Sequence, residues 1–111
     1  GAKINNKPVG LQGKASIFSF YSTKLITSAG QGGMILSKDK SLIREIKDFL
    51  DFDMRKDEKF RFNFQMTDIQ AAFGRAQLKK MNIFISKRKK IFNFYKNLGL
   101  NLLENKDKKI N

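Results

Sequence analysis

A chain of 111 residues allows at most one domain, and its 41% hydrophobic content allows only a modest core. Cysteine and histidine are both missing, which excludes a disulfide framework, thiolate metal sites and a Ser-His-Asp triad, and leaves chemistry near neutral pH to lysine, carboxylates, tyrosine or a cofactor. The net charge of +13 reads either as an anionic partner such as nucleic acid or, more simply, as solvated lysines on helix faces or a basic section of a longer chain.

Residues 1–13 are polar and broken by Pro8, Gly10 and Gly13, which predicts a loop with a short hairpin. No apolar leader core is visible in residues 1–10, and no apolar run approaches the ~20 residues that span a bilayer, so the expected location is cytoplasmic. Ala15 to Phe20, β-branched and aromatic at its centre, predicts a short strand apolar on both faces and therefore buried. A Ser-, Thr- and Gly-rich loop follows from Tyr21, and Gly33 to Leu36 predicts a second strand.

The period then changes. Leu42, Ile43, Ile46, Phe49 and Leu50 share one helical face, with Ser37 or Asp39 as the cap, and the helix fades in the charged stretch Asp51 to Asp57. From Phe60 to Met66 the period is two: Phe60, Phe62 and Phe64 alternate with Arg61, Asn63 and Gln65. This fits a half-buried edge strand, or an arm that buries phenylalanines and aims donors at an anion.

Thr67 and Gln70 form a capping box, which opens a long helix expected to run to about Leu98 and to stop at Gly99. Ala71, Ala72, Gly74 and Ala76 leave room for close packing on its first turns. The tail, Asn105 to Asn111, is polar and expected to fray. The helix carries more apolar surface than two short strands and one helix can cover, so a covering partner is expected, either more chain or another subunit.

The chemistry concentrates at Phe18 to Gly33. Lys24 is the only charged residue between Ala15 and Leu36, set among hydroxyl and apolar groups. A lone lysine after a strand is ordinarily a surface residue. The other reading is a desolvated amine, nucleophilic enough to form a Schiff base, beside hydroxyl and backbone donors for a phosphate.

The run Ser19-Phe20-Tyr21-Ser22-Thr23-Lys24, followed by Thr27 and Gly30-Gln31-Gly32-Gly33-Met34, resembles the lysine loop of the DegT/StrS-type sugar aminotransferases. Phe62 to Gly74, with Gln77-Leu78 after it, resembles that family's second hallmark, and the match runs in order from about Gly1 to Leu98. The resemblance implies an α/β fold: a partial piece of the large PLP-binding domain of a fold-type I aminotransferase, with short strands, one short helix and one long one. It places residues 1–98 in the centre of that domain and residues 99–111 at the start of the connection to a C-terminal domain.

The resemblance further implies that Lys24 holds pyridoxal 5'-phosphate as a Schiff base and shuttles protons at the substrate carbon. Ser19 would bond the cofactor phosphate, and Asn63 would reach that phosphate from the neighbouring subunit of a homodimer, which turns the alternating segment into a cross-subunit arm. Tyr21 would line the substrate pocket. The implied substrates are a nucleotide-linked keto sugar and an amino-acid donor, usually glutamate, with no membrane or nucleic-acid partner. Two positions depart from the family pattern: Gln31 stands where glutamate is usual, and Gln65 where a basic residue is common. Family members are several times longer and carry the partner of the pyridine nitrogen upstream, so the 111 residues alone are expected to be a poor or inactive aminotransferase. The readings set against this one are a basic nucleic-acid-binding module, best supported by Lys79, Lys80 and residues 87–90, and a structural fragment without activity.

Overall fold

Two asparagines make the first turn. β1 (Lys3–Ile4) and β2 (Lys7–Pro8) pair antiparallel through Asn5 and Asn6, whose φ values of 50° and 62° are both left-handed. A two-residue connection with positive φ at both positions matches the twist of a hairpin, and Asn tolerates that region better than most residues. The structure is a computed structural model describing residues 1–10 and 12–103, so the predicted tail at Asn105–Asn111 lies outside the described residues.

β3 (Ala15–Ser19) and β4 (Gly33–Ser37) form the second antiparallel pair, in register from Ala15 opposite Ser37 to Ser19 opposite Gly33. Both predicted strands are therefore present. The expectation that the first is buried is corrected: Ile17 is 81% exposed, and no apolar residue among those described is buried. Helix α1 (Lys40–Leu50) packs on β4, and among the described elements no other helix packs on the sheet.

Of the two candidate caps for α1, Asp39 takes the role. Its Oδ1 accepts from the amides of Ser41 at 2.9 Å and Leu42 at 3.1 Å. The Leu42 bond is the main reason the Asp39 carboxyl is held below its ordinary pKa. Ser37 supports the cap one step back: its Oγ accepts from the Asp39 amide at 3.0 Å and donates to the Lys14 carbonyl.

The expected single long helix is two helices, α2 (Asp68–Lys79) and α3 (Met81–Asn97). Lys80 breaks them apart with φ −93° and ψ 1°, and its amide reaches Gln77 O at 2.9 Å, a tightened turn, before Phe84 N to Lys80 O restarts the ladder. Neither glycine nor proline marks the break. The capping box is present: Thr67 Oγ1 accepts from Gln70 N, and Gln70 Oε1 accepts from Thr67 N. Gly99 ends α3 as expected, at φ 75°, with Gly99 N bonded to Lys96 O and Leu100 N to Tyr95 O. Those two bonds are the paired closure of a Schellman motif.

The chain extends 63 × 29 × 22 Å with a radius of gyration of 18.4 Å, against roughly 13 Å for a compact domain of this length. Its accessible surface of 9931 Å² far exceeds the ~6,300 Å² expected for a folded monomer of this mass. Large apolar side chains on the sheet, the arm, α2 and α3 are exposed, among them Ile17, Phe60, Phe64, Ile69 and Phe94, as the surplus of helical apolar surface implies. The lysines and arginine at 79, 80 and 87–90 are all exposed.

Candidate active site: the lysine loop and the arm

The segment from Phe20 to Gly32 connects β3 to β4 and is fastened at its base. Phe20 N donates to Gly32 O at 2.8 Å, carrying the ladder one step past the strands, and Ser28 N returns to Phe20 O at 2.9 Å. Between them Lys24 N donates to Tyr21 O at 2.9 Å, so Tyr21 to Lys24 is a closed turn with the lysine at its end. Ala29 at φ 59° and Gly30 at φ 136° then reverse the chain toward β4. Nothing crowds Gly30, so glycine is needed there for backbone conformation and not for space.

Ser28 organises the loop, and sequence reasoning passed over it. It is completely buried. Its Oγ lies 2.9 Å from Gln31 O and 3.3 Å from Phe20 O, so its single proton goes mainly to Gln31. A Cβ at Gly32 would collide with that hydroxyl and lie 2.9 Å from Met66 Cε, while a Cβ at Gly74 would lie 3.7 Å from Ser28 Cβ. The small residues of α2 thus do receive a close neighbour: Ser28 packs on Gly74. Met66, at the end of the arm, packs on Gly32.

Lys24 is exposed, which agrees with the ordinary reading of a lone lysine after a strand and not with the desolvated amine: the absence of charged neighbours along the chain does not bury a side chain when nothing packs over the loop. Its amine makes no hydrogen bond or ion pair to any described residue. Ser19 ends β3, exposed, with its Oγ accepting weakly from Tyr21 N at 3.4 Å. Tyr21 is 43% exposed beside it. Thr27 Oγ1, in the run that resembles the lysine loop, is buried without a hydrogen-bond partner among the described residues, an uncommon state for a hydroxyl.

Residues 60–66 belong to no ladder among the described residues, and Phe64 N donates to Phe62 O at 3.0 Å, a γ-turn centred on Asn63, so the edge-strand reading does not hold. The segment is tied to α1 instead. Phe62 N donates to Phe49 O at 3.0 Å, and the Phe62 ring sits 5.1 Å from Phe49 and stacks on Phe64 at 5.0 Å.

The polar groups of the arm divide. Arg61, whose side chain is 4% exposed, donates from Nε to Asp48 O at 2.8 Å and from Nη2 to Asp48 Oδ1 at 3.0 Å. Its Nη1 and Nη2 also fork onto the two oxygens of Asp57 at 2.5 and 3.0 Å. Gln65 Nε2 donates to Leu50 O at 3.2 Å. These two donors are therefore spent on the chain's own acceptors, and the reading in which all three polar groups aim at an external anion is corrected. Asn63 is left exposed, its side chain unpaired among the described residues and not bonded to the lysine loop of the same chain.

The fork also sets the local electrostatics. The Arg61 guanidinium holds the Asp57 carboxyl at about 2, below its ordinary 3.8, and lowers Asp48 as well; Asp57 and Asp48 in turn raise Arg61. The departures at Gln31 and Gln65 acquire physical content here. Gln31 serves the loop through its backbone carbonyl, with no hydrogen bond from its side chain, and Gln65 is an internal staple.

The model of the DegT/DnrJ/EryC1/StrS aminotransferase family matches residues 1–108. Among curated relatives, the GDP-perosamine synthase of Escherichia coli O157:H7 is 37% identical over 101 residues, which are 86% of this chain and 28% of the relative. The UDP-4-amino-4,6-dideoxy-N-acetyl-beta-L-altrosamine transaminase of Helicobacter pylori is 37% identical over 95 residues, 79% of this chain and 25% of that protein. Among solved structures, Helicobacter pylori PseC, an aminotransferase involved in the biosynthesis of pseudoaminic acid, superimposes on 75% of this chain and 24% of its own, with a TM-score of 0.66 and 36% identity. A Streptococcus pneumoniae protein described as a sugar aminotransferase, in its PLP form, covers 99% of this chain and 32% of its own at a TM-score of 0.79 and 22% identity, a likeness of fold. The chain thus spans about a quarter of the length of the curated relatives it matches.

Proposed function

Since the chain belongs to the DegT/DnrJ/EryC1/StrS aminotransferase family, we propose that it works as the central part of a PLP-dependent enzyme that transfers an amino group, with glutamate as donor, to a nucleotide-linked keto sugar. Residues 1–98 are the middle of the cofactor-binding domain on this reading, and residues 99–111 lead toward a further domain. The relatives named for amino-sugar synthesis support this substrate class, and the reading includes a cytoplasmic location. No helix among the described residues is long and apolar enough to cross a membrane.

The observation that carries the reading is the Lys24 amine. It stands at the end of a closed turn, on a loop fastened by Ser28, with no partner of its own among the described residues. An amine kept free of ion pairs is available to a carbonyl, whereas a salt-bridged one is not. The unpartnered Thr27 Oγ1 and the Ser19 hydroxyl fit a polar, phosphorylated ligand in the same loop.

Pyridoxal phosphate, when bound, supplies the electron sink for amino transfer. Lys24 Nζ anchors it and, when released, carries the proton to and from the substrate carbon. Ser19 Oγ holds the phosphate. Asn63 completes that grip from the second subunit of a homodimer, consistent with its making no bond to the loop of its own chain. Tyr21, half-exposed beside the lysine, lines the substrate side.

The test is spectroscopic. Full-length protein incubated with pyridoxal phosphate is expected to show the visible absorbance of a lysine-bound cofactor, and Lys24→Ala is expected to lose that band. A band unchanged in the variant overturns the assignment.

A further inference from the structure

We propose that Arg61 is a positioning residue: by clamping the arm onto α1 it presents the Asn63 amide, already ordered, to the cofactor phosphate. The inference rests on the reading of Asn63 given above and goes beyond it.

The alternation of phenylalanines with Arg61, Asn63 and Gln65 makes Arg61 a natural candidate for direct contact with an anionic substrate. The structure assigns it otherwise. Its side chain is 4% exposed, and Nε, Nη1 and Nη2 are all occupied by Asp48 and Asp57. A guanidinium committed to two carboxylates has little left to offer a ligand.

What it does instead is hold the chain. Among the described residues, 60–66 have no ladder, and their other ties to α1 include one backbone bond at Phe62, the Phe62–Phe49 ring contact and the 3.2 Å bond of Gln65. Arg61 adds two hydrogen bonds to Asp48 of α1, and two more to Asp57 in the connection just before the arm, all on one side of Asn63. Asn63 therefore lies between two staples, at 61 and 65, and has no partner of its own among the described residues. An exposed amide on a segment outside any ladder would otherwise lose backbone and side-chain freedom on meeting its ligand, and ordering it beforehand removes that cost. Lysine cannot reproduce the clamp, because an ammonium lacks the planar fork that engages Asp57 twice.

The experiment uses the full-length enzyme, stripped of cofactor and titrated with pyridoxal phosphate, together with backbone amide exchange across residues 60–66. Asn63→Ala is expected to weaken cofactor binding on the order of tenfold, the scale of a hydrogen bond to a charged group. Arg61→Ala is expected to weaken it comparably and to speed exchange at Phe62 and Phe64. The two are expected not to add: the double variant binds no more weakly than Asn63→Ala alone, because a loosened arm without its amide has nothing further to lose.

Arg61→Lys should recover only part of the affinity. Additive losses, or unchanged exchange in Arg61→Ala, overturn the proposal. If Asn63→Ala weakens binding and Arg61→Ala does not, only the role of Arg61 fails; if Asn63→Ala is silent, the reading of Asn63 fails and takes this one with it. Should Arg61→Ala not fold, Asp57→Asn, which removes one side of the clamp, is expected to give a smaller loss with the same lack of additivity, and additivity there counts against the proposal equally.

Discussion

Ser28 lies so close beneath Gly32 that no side chain fits between them: a single added carbon at Gly32 would strike the Ser28 hydroxyl. Met66 Cε is also near, but it is the end of a flexible side chain and can yield. Ser28 cannot, being fully buried and bonded on both its amide and its hydroxyl. Gly32→Ala should therefore destabilise the full-length protein by about 1–3 kcal/mol, the range for overpacking a tight site. Chemical denaturation reads this, and adding Ser28→Gly should restore part of the loss.

Removing the hydroxyl alone tests the other half of the contact. Ser28→Ala fills nearly the same space and leaves Gln31 O without its donor, at a cost of about 1 kcal/mol. The loop should open more often, and limited trypsin digestion should cut after Lys24 faster than in the parent protein. Equal cutting rates would show that the Phe20–Gly32 and Ser28–Phe20 backbone bonds hold the loop without the side chain.

Local signals accounted for much of this architecture. The strands at 15–19 and 33–37, α1 with its Asp39 cap, the Thr67–Gln70 box and the stop at Gly99 each follow from a few neighbouring residues, and each is present. What escaped depends on distance. Arg61 reads as an outward donor until Asp48, thirteen positions away, is seen beside it. Ser28 becomes conspicuous only when Gly74 arrives beneath it. The break at Lys80 has no glycine or proline to announce it, so a continuous apolar stripe across Ile69 to Tyr95 suggested one helix. Lys24, isolated from charge along the chain, is not thereby isolated from water.

At the end of α3 the expected effect is purely conformational. Gly99 has open space around it and a φ of 75°, so Gly99→Ala clashes with nothing and instead forces an L side chain into the left-handed region. A loss of about 1 kcal/mol is expected. Gly99→Asn should lose less, since Asn tolerates that conformation better. Thermal unfolding followed by helical circular dichroism ranks the three.

Acid should release the arm before it unfolds the helices. Asp57 titrates at about 2 when bonded to Arg61 and near its ordinary 3.8 when free. A carboxyl lowered by folding contributes stability that is complete above about pH 4 and is lost as pH falls through 3.8 toward 2. Asp48, lowered mainly by the same guanidinium and also by Lys59 and Arg55, shifts in the same direction. Arg61 stays charged throughout, so protonation of the two carboxyls is what breaks the clamp. Amide exchange at Phe62 is expected to accelerate across that window, and Asp57→Asn should flatten much of the dependence while raising exchange at neutral pH.

Among the described residues the sheet formed by β3 and β4 has two strands, and the outer side of each is unpaired. Along each, alternate amides and carbonyls point outward, a ready template for another strand. Backbone pairing of this kind does not discriminate by side chain, so any extended segment could dock there, and a slip of one residue would turn that segment's side chains to the opposite face. Correct assembly around this pair is thus a question of register as much as of affinity.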